Sequence, residues 1–158
     1  MGRSAGKANA TGFGNTFLGR TSGAAHLSGD NNTFVGRNSG SLATTGFRNA
    51  ALGHNVGPSL DGLTNSTAHG SEAQVAQSNA LVLGGTGPNA MNVGLGTSAP
   101  NASVALNITS ASKGALLPRR AETARLGIGS PAPSLLLYQA DGAQPGFWYD
   151  AGTAALPA

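Results

Sequence analysis

The sequence has no cysteine, and only 9% of its 158 residues are charged and 5% aromatic. Without cysteine it has no disulfide framework, no cysteine zinc site and no thiol nucleophile. No run of 18 apolar residues occurs, so no segment is long enough to insert into a membrane as a helix. The formal charge of +3 comes from scattered residues. No basic stripe with interleaved aromatic residues is present, which argues against nucleic-acid binding.

Large apolar side chains are also scarce, because Leu, Ile, Val and Phe make up only about a fifth of the chain. The low net charge argues against disorder, and 25 residues are glycine. A single copy with this composition buries little apolar area to offset the entropy of ordering the chain. The composition therefore predicts a core built by regular stacking or by association with copies of the same chain.

An internal repeat occupies the first two-thirds of the sequence. Residues 1–6, 18–23 and 35–40 align without gaps, and their starts are 17 residues apart. Asparagine continues the pattern at Asn15, Asn32, Asn49, Asn65, Asn79 and Asn92. A unit of this length is too short for helical or leucine-rich repeats. Its short alternating run and its Gly/Ser/Asn turn predict one strand and one corner, so the stacked units predict a β-solenoid.

The repeat also predicts which side chains lie above one another. Phe17 and Phe34 are expected to stack in successive coils, with Leu18 and Val35 pointing to the opposite side. We expect no helix in residues 10–95. The recurrent asparagines are expected to form ladders from coil to coil, which satisfy amides that would otherwise be buried without partners.

Parts of the repeat resemble known fibre proteins. Residues 65–84 contain Asn-Ser-Thr-Ala-His-Gly and resemble the head repeats of trimeric autotransporter adhesins. Residues 32–40, Asn-Thr-Phe-Val-Gly-Arg-Asn-Ser-Gly, resemble repeats of phage tail fibres and of large bacterial surface proteins. Residues 92–107 resemble the Val-Gly-Ile-Gly-Thr-x-x-Pro segment that closes such arrays. These resemblances imply a left-handed parallel β-roll and a parallel homotrimer.

The remaining sequence predicts a small mixed module. Residues 102–109 alternate as a half-buried strand does. Residues 113–126 resemble a Lys-Gly-x-Leu-x-Pro-Arg segment that follows the array in similar proteins, and a short helix is predicted over 120–126, ended by glycine. Strands are predicted at 135–138 and 147–149, with Asp-Gly and Pro-Gly turns between them.

The two C-terminal strands are expected to differ from the loop that joins them. Residues 139–147 are rich in Gly, Pro, Gln and Asp and are expected to be exposed, since loops lie at the surface. The aromatic strand at 147–149 is expected to be largely buried between protomers, with at most one ring presented to solvent.

The fold class is therefore predicted to be mainly β, with trimeric β-solenoid or β-roll fibre repeats followed by a small α+β C-terminal module. We divide the chain into a repeat β-solenoid at 1–97, a connecting strand at 98–112 and the C-terminal module at 113–158. Residue 1 falls inside a repeat and residues 151–158 resemble a module end, so we expect the sequence to be a fragment or short relative of a longer fibre.

Two groups of residues are candidate receptor contacts. Arg20 and Arg37 occupy equivalent repeat positions, as does Arg3, so they predict a basic row on the stack. Such a row either keeps an otherwise uncharged surface soluble or binds acidic glycans or a partner. Trp148 and Tyr149 belong to the one aromatic cluster, which forms either the module core or a platform on which sugars stack.

No catalytic, cofactor-binding or metal-binding residue is predicted. The histidines, His26, His54 and His69, are expected to be solvated or to lie in an interface. The glycines at 84–87 and 94–96 lack the spacing of phosphate loops and are interpreted as corners. The acidic residues are scattered singly, whereas a polysaccharide depolymerase needs paired carboxylates.

The sequence therefore predicts a structural segment of a phage-type tail fibre or injection-device fibre that supports host attachment, without enzyme activity or a cofactor. The alternatives are a bacterial cell-surface adhesin or filament subunit and, less favoured, a tail-spike depolymerase. The expected partners are two further copies of the chain, other fibre segments and a host-surface glycan or protein. The expected location is the virion tail or the cell surface.

Overall fold

The computed structural model describes residues 2–150. They form two compact units that divide between Thr109 and Ser110. The first unit is a stack of β-coils, so the predicted mainly β class with solenoid repeats is confirmed. Its strands are β1 (Thr16–Leu18), β2 (Thr33–Val35), β3 (Ala50–Leu52), β4 (Gly57–Pro58), β5 (Thr67–His69), β6 (Gln74–Val75), β7 (Leu81–Leu83), β8 (Val93–Leu95) and β9 (Leu106–Ile108).

Parallel pairing links one coil to the next. The strands β1, β2, β3, β5 and β7 form a five-stranded sheet in that order, while β4 pairs with β6 and β8 with β9. Phe17 lies opposite Phe34 and Leu18 opposite Val35, which confirms the predicted register. The Phe17 and Phe34 rings stack with their centroids 5.6 Å apart.

One 3-10 turn interrupts the strand pattern at Gly87–Asn89, so the expectation of no helix in residues 10–95 is wrong there. Proline lies in the first turn, where its fixed φ favours helical geometry and its missing N–H costs no hydrogen bond. Glycine begins the turn at φ +60. The turn follows β7, the last strand of the five-stranded sheet.

A ladder of asparagines runs through the coils. The Oδ1 atom of Asn15 accepts from the backbone N–H of Asn32 at 2.9 Å, and Asn32 Oδ1 accepts from the N–H of Asn49 at 2.9 Å. The fourth rung is Ser66, whose N–H and hydroxyl donate to Asn49 Oδ1 at 3.0 and 2.7 Å. The predicted ladder is therefore confirmed, but aligning Asn65 with Asn49 was wrong by one residue.

The corrected alignment gives coils of 17 residues as far as β5 and one of 14 residues between β5 and β7, because Thr33 pairs with Ala50, Ala50 with Thr67 and Thr67 with Leu81. Asn65 lies one position before the ladder and donates to Asn79 Oδ1 at 2.9 Å. Both asparagines have positive φ, a conformation that Asn tolerates better than most residues.

The core of the first unit is narrow and built mostly from small side chains. It consists of Phe34, Ala43, Ala51, Val56, Ala68, Ala73 and Val75. Phe17 and Val82 are partly buried and pack against this cluster. Since so few large groups are buried, hydrogen bonds between coils contribute a large share of what fixes the register.

The second unit contains β10 (Arg119–Arg120), the helix α1 (Glu122–Leu126), β11 (Leu136–Gln139) and β12 (Gly146–Tyr149). The strand β11 pairs in parallel with β10 and antiparallel with β12. The predicted short helix and the predicted pairing of the two C-terminal strands are confirmed.

The strand predicted over residues 102–109 is shorter than expected, since only Leu106–Ile108 is extended. Asn101 accepts the N–H of Ser103 at 2.8 Å, and this local hydrogen bond competes with strand pairing. Leu106 and Ile108 are 54% and 45% exposed. The apolar face of this strand is therefore not buried within the single chain.

Candidate interaction surfaces

Three arginines form a row on the first unit. The N–H of Thr21 donates to the carbonyl of Arg3 at 2.9 Å, and the equivalent bonds reach Arg20 and Arg37 at 3.0 Å. The three arginines therefore lie in register at one corner of successive coils, and all three are exposed. His54, also exposed, occupies the same position in the next coil.

A polar ladder adjoins the arginine row. The Thr21 hydroxyl donates to Asn38 Oδ1, and Asn38 Nδ2 donates to Asn55 Oδ1 at 2.9 Å. Within residues 2–150, no carboxylate pairs with the guanidinium group of Arg20 or Arg37. The row thus offers unpaired cations on a hydrogen-bonded scaffold, a surface able to hold an extended anion.

The sheet of the second unit has two different faces. On one face the Arg125 guanidinium lies 3.8 Å from the centroid of the half-buried Trp148 ring, a cation–π contact. Arg125 Nε also donates to the Oε1 of the buried Gln139 at 2.7 Å. Trp148 Nε1 donates to the carbonyl of Gln144 at 3.3 Å. The predicted exposure of the 139–147 loop is wrong for Gln139, which is fully buried and whose Nε2 donates to the carbonyls of Asp141 and Gln144 at 2.7 and 3.2 Å.

The opposite face carries the other aromatic rings. Tyr138 pairs with Phe147 and Leu136 with Tyr149 across the two strands, and the Tyr138 and Phe147 rings meet edge to face at 5.4 Å. Phe147 is 60% exposed and Tyr149 44% exposed. Two rings of the 147–149 strand face solvent in the single chain, because side chains alternate along a strand. Their burial between protomers stays a prediction.

His26 is fully buried, so the expectation of a solvated or interfacial histidine is wrong at this position. Its Nδ1 lies 2.9 Å from the carbonyl oxygen of Ala43. Its ring meets Phe17 and Phe34 edge to face, with centroids 5.5 and 5.9 Å away. A flat ring with two polar atoms can fill the space between two phenylalanines and still satisfy a corner carbonyl. No feature of the repeat indicated this, because the other coils have no histidine there.

The scattered acids have local structural partners that the sequence did not reveal. Asp30 accepts the N–H of Phe13 at 2.8 Å, and Asp61 accepts those of Thr44 and Thr45 at 2.8 and 2.9 Å. Hydrogen bonds from Thr44, and then from the Thr45 backbone, hold the pKa of Asp61 well below its usual range. Each of these acids joins its own coil to the coil before it.

In the described part of the chain, no group of three or more His, Asp or Glu residues is placed to hold a metal ion. No helix among the described residues has the length and apolar character needed to cross a membrane.

Comparison with known proteins identifies one region. Residues 94–155 match the family model described as a phage tail like trimerisation region. No curated protein and no solved structure is significantly similar to the chain. The match supports self-association as a homotrimer, a structural role of the tail-fibre type and a location in a virion tail. The resemblances to adhesin heads and to the closing segment of residues 92–107 gain no support and stay hypotheses. The chain thus combines a β-solenoid with a segment that matches a phage tail-like trimerisation region.

Proposed function

We propose that this chain is a shaft segment of a phage-type tail fibre or of a related injection-device fibre. Three chains form a rigid rod that holds a receptor-binding end away from the particle. The observation that carries this proposal is the in-register stack of coils, leading along the chain into a trimerisation region.

The stack suits a mechanical role because its coils are joined at several points. The coils of β1, β2 and β3 share parallel strand bonds, the asparagine ladder and aspartate bonds at the corners. Displacing one coil against the next would break these bonds together. Each added coil lengthens the rod by about one strand spacing, roughly 4.8 Å.

The proposal assigns no catalytic role to the chain. Asp30, Asp61 and Glu72 each bind a neighbouring segment, the last through the side-chain amide of Asn89. Carboxylates held in this way act as structural acceptors, which supports a structural segment over a depolymerase.

The alternative is that the chain is a bacterial surface adhesin or filament subunit with the same architecture. Immunogold electron microscopy of the producing culture separates the two. A tail-fibre segment places antibody label on the tails of particles, whereas an adhesin places it on cell surfaces that carry no particles.

The first prediction concerns assembly. Sedimentation equilibrium of the full chain at micromolar concentration is expected to give three times the chain mass of 15.5 kDa. The physical reason is that the exposed apolar faces described above gain burial only by association. A stable folded monomer at that concentration would contradict the proposal.

The second prediction concerns host contact through the arginine row. We expect the double variant Arg20→Gln/Arg37→Gln to bind a sulfated polysaccharide about tenfold more weakly, a loss of about 1.4 kcal/mol. A trimer loses six aligned guanidinium groups, so small individual contributions add. Affinity is measured at fixed ionic strength, since exposed charges are screened by salt.

The matched control is Lys7→Gln/Arg48→Gln, which removes the same charge from exposed positions outside the row. An equal loss of affinity in both variants would show that net charge, and not the row, determines binding.

A further inference from the structure

The outward side chains of the five-stranded sheet form two regular columns. The residues between them, Phe17, Phe34, Ala51, Ala68 and Val82, pack in the core or against it. One outward column is Thr16, Thr33, Ala50, Thr67 and Leu81, and the other is Leu18, Val35, Leu52, His69 and Leu83. We call these ten positions the outer face. It contains no Asp, Glu, Lys or Arg.

Much of the outer face is apolar and in contact with water in the single chain. Leu18 is 52% exposed, Leu52 48%, Leu81 62% and Leu83 46%. Single exposed leucines are common on protein surfaces. Leucines and a valine aligned along one sheet face are different, because contiguous apolar patches on soluble proteins mark interaction sites.

The outer face also contains a shaped depression. Alanine occupies position 50, where the neighbouring coils have Thr33 and Thr67. The shorter side chain leaves an open groove of about 290 Å³, bordered by Val35 and Leu52. A groove of this kind can accept an apolar side chain from an opposing surface.

The chain itself indicates what covers this face. Residues 94–155 match a trimerisation region, and association of three copies through that region would bring their outer faces close to one another. Tethering by short connections gives effective concentrations in the millimolar range. Leu95, Leu106 and Ile108 on β8 and β9 fall inside the matched region and are likewise exposed. Apolar exposure therefore extends from the sheet into the region that associates.

We propose that the outer face is the surface through which the three copies pack along the shaft. This inference rests on the proposed trimeric function and extends it from the trimerisation region to residues 16–83. In a parallel trimer related by rotation alone, equivalent coils lie at the same height. Val35 of one copy therefore lies near the outer face of the same coil in its neighbours.

Because the chain has no cysteine, each cysteine variant carries a single thiol at a known position, and its cross-linking tests the proposal directly. Single variants Leu18→Cys, Val35→Cys and Thr33→Cys sample both columns, and Arg37→Cys serves as an exposed control at the corner of the same coil as Val35. The full-length proteins are treated with a short bis-maleimide and analysed on denaturing gels. We also measure how fast each thiol reacts with a monofunctional maleimide in the native protein and after unfolding.

We expect cross-linked dimers from at least one outer-face variant and none from Arg37→Cys. The outer-face thiols should react at least about tenfold more slowly in the native trimer than after unfolding, because a neighbouring copy covers them.

Two failures are distinguishable. If every variant is trimeric by sedimentation but the outer-face thiols react as fast as Arg37→Cys and do not cross-link, the inference is overturned while the trimeric function stands. That result would leave the face open to another occupant, such as an apolar ligand or a host protein. If the unmodified chain is monomeric, the proposed function fails and the inference fails with it.

Discussion

Replacing Gly36 by Ala is expected to prevent the second and third coils from stacking, with a loss of more than about 4 kcal/mol in the free energy of unfolding. Gly36 has φ +125, a conformation that L side chains rarely adopt. A Cβ atom there would overlap the carbonyl oxygen of Gly53 in the next coil. The obstacle is backbone fixed by the sheet, so no side chain can move aside to relieve it.

Gly62→Ala is the control for this variant. Gly62 also has positive φ, at +71, but its nearest neighbour to an added Cβ would be the Thr45 hydroxyl at 3.9 Å. Strain without overlap costs about 1–2 kcal/mol. Denaturant titration of both variants at equal protein concentration measures the difference. Equal destabilisation would show that positive φ, and not the close approach of the coils, accounts for the cost at Gly36.

Phe34→Ala is expected to lower the free energy of unfolding by about 3–5 kcal/mol, the usual range for truncating a buried phenylalanine. Phe34 is fully buried and stacks on Phe17, and its ring also contacts the edge of His26. Few other large side chains occupy the core, so little can collapse into the space that is left. Thermal unfolding, monitored by circular dichroism, measures this loss of stability as a decrease in melting temperature.

Phe13→Ala tests whether this effect is specific to burial. Phe13 is 76% exposed, and surface substitutions usually change stability by no more than about 0.5 kcal/mol. A loss at Phe13 as large as that at Phe34 would mean that the described core does not carry the stability, or that Phe13 is buried by another copy.

The regular part of the fold was predictable because the same sequence pattern recurs in each coil. Phe17 and Phe34 share a position in gap-free repeats, so their stacking followed from counting residues. The fourth rung of the ladder was not predictable in this way. Ser66 forms it with a hydroxyl and a backbone N–H. The neighbouring Asn65 fits the asparagine pattern of the sequence but lies one residue before the ladder position.

The candidate surfaces were predictable in position but not in detail. The spacing of the repeat is enough by itself to place Arg20 and Arg37 in one row. The cluster at 147–149 was recognisable as aromatic, yet its division between two faces depends on the strand pairing. That pairing sets Trp148 beside Arg125 and leaves Phe147 and Tyr149 open. The buried ring of His26 depends on contacts with Phe17 in its own coil and with Phe34 and Ala43 in the next, which no local pattern records.

Because coil length is constant in the first part of the stack, the stack can change in length by steps of one coil. Losing residues 20–36, one unit of 17, would bring Gly19 onto Gly53 with every outward residue still outward. A shorter coil keeps the alternation of side chains only where the missing residues lie outside the paired strands, as in the 14-residue coil between β5 and β7. We therefore expect that gene rearrangements which add or remove whole 17-residue coils change the length of the stack while its outward side chains keep their positions.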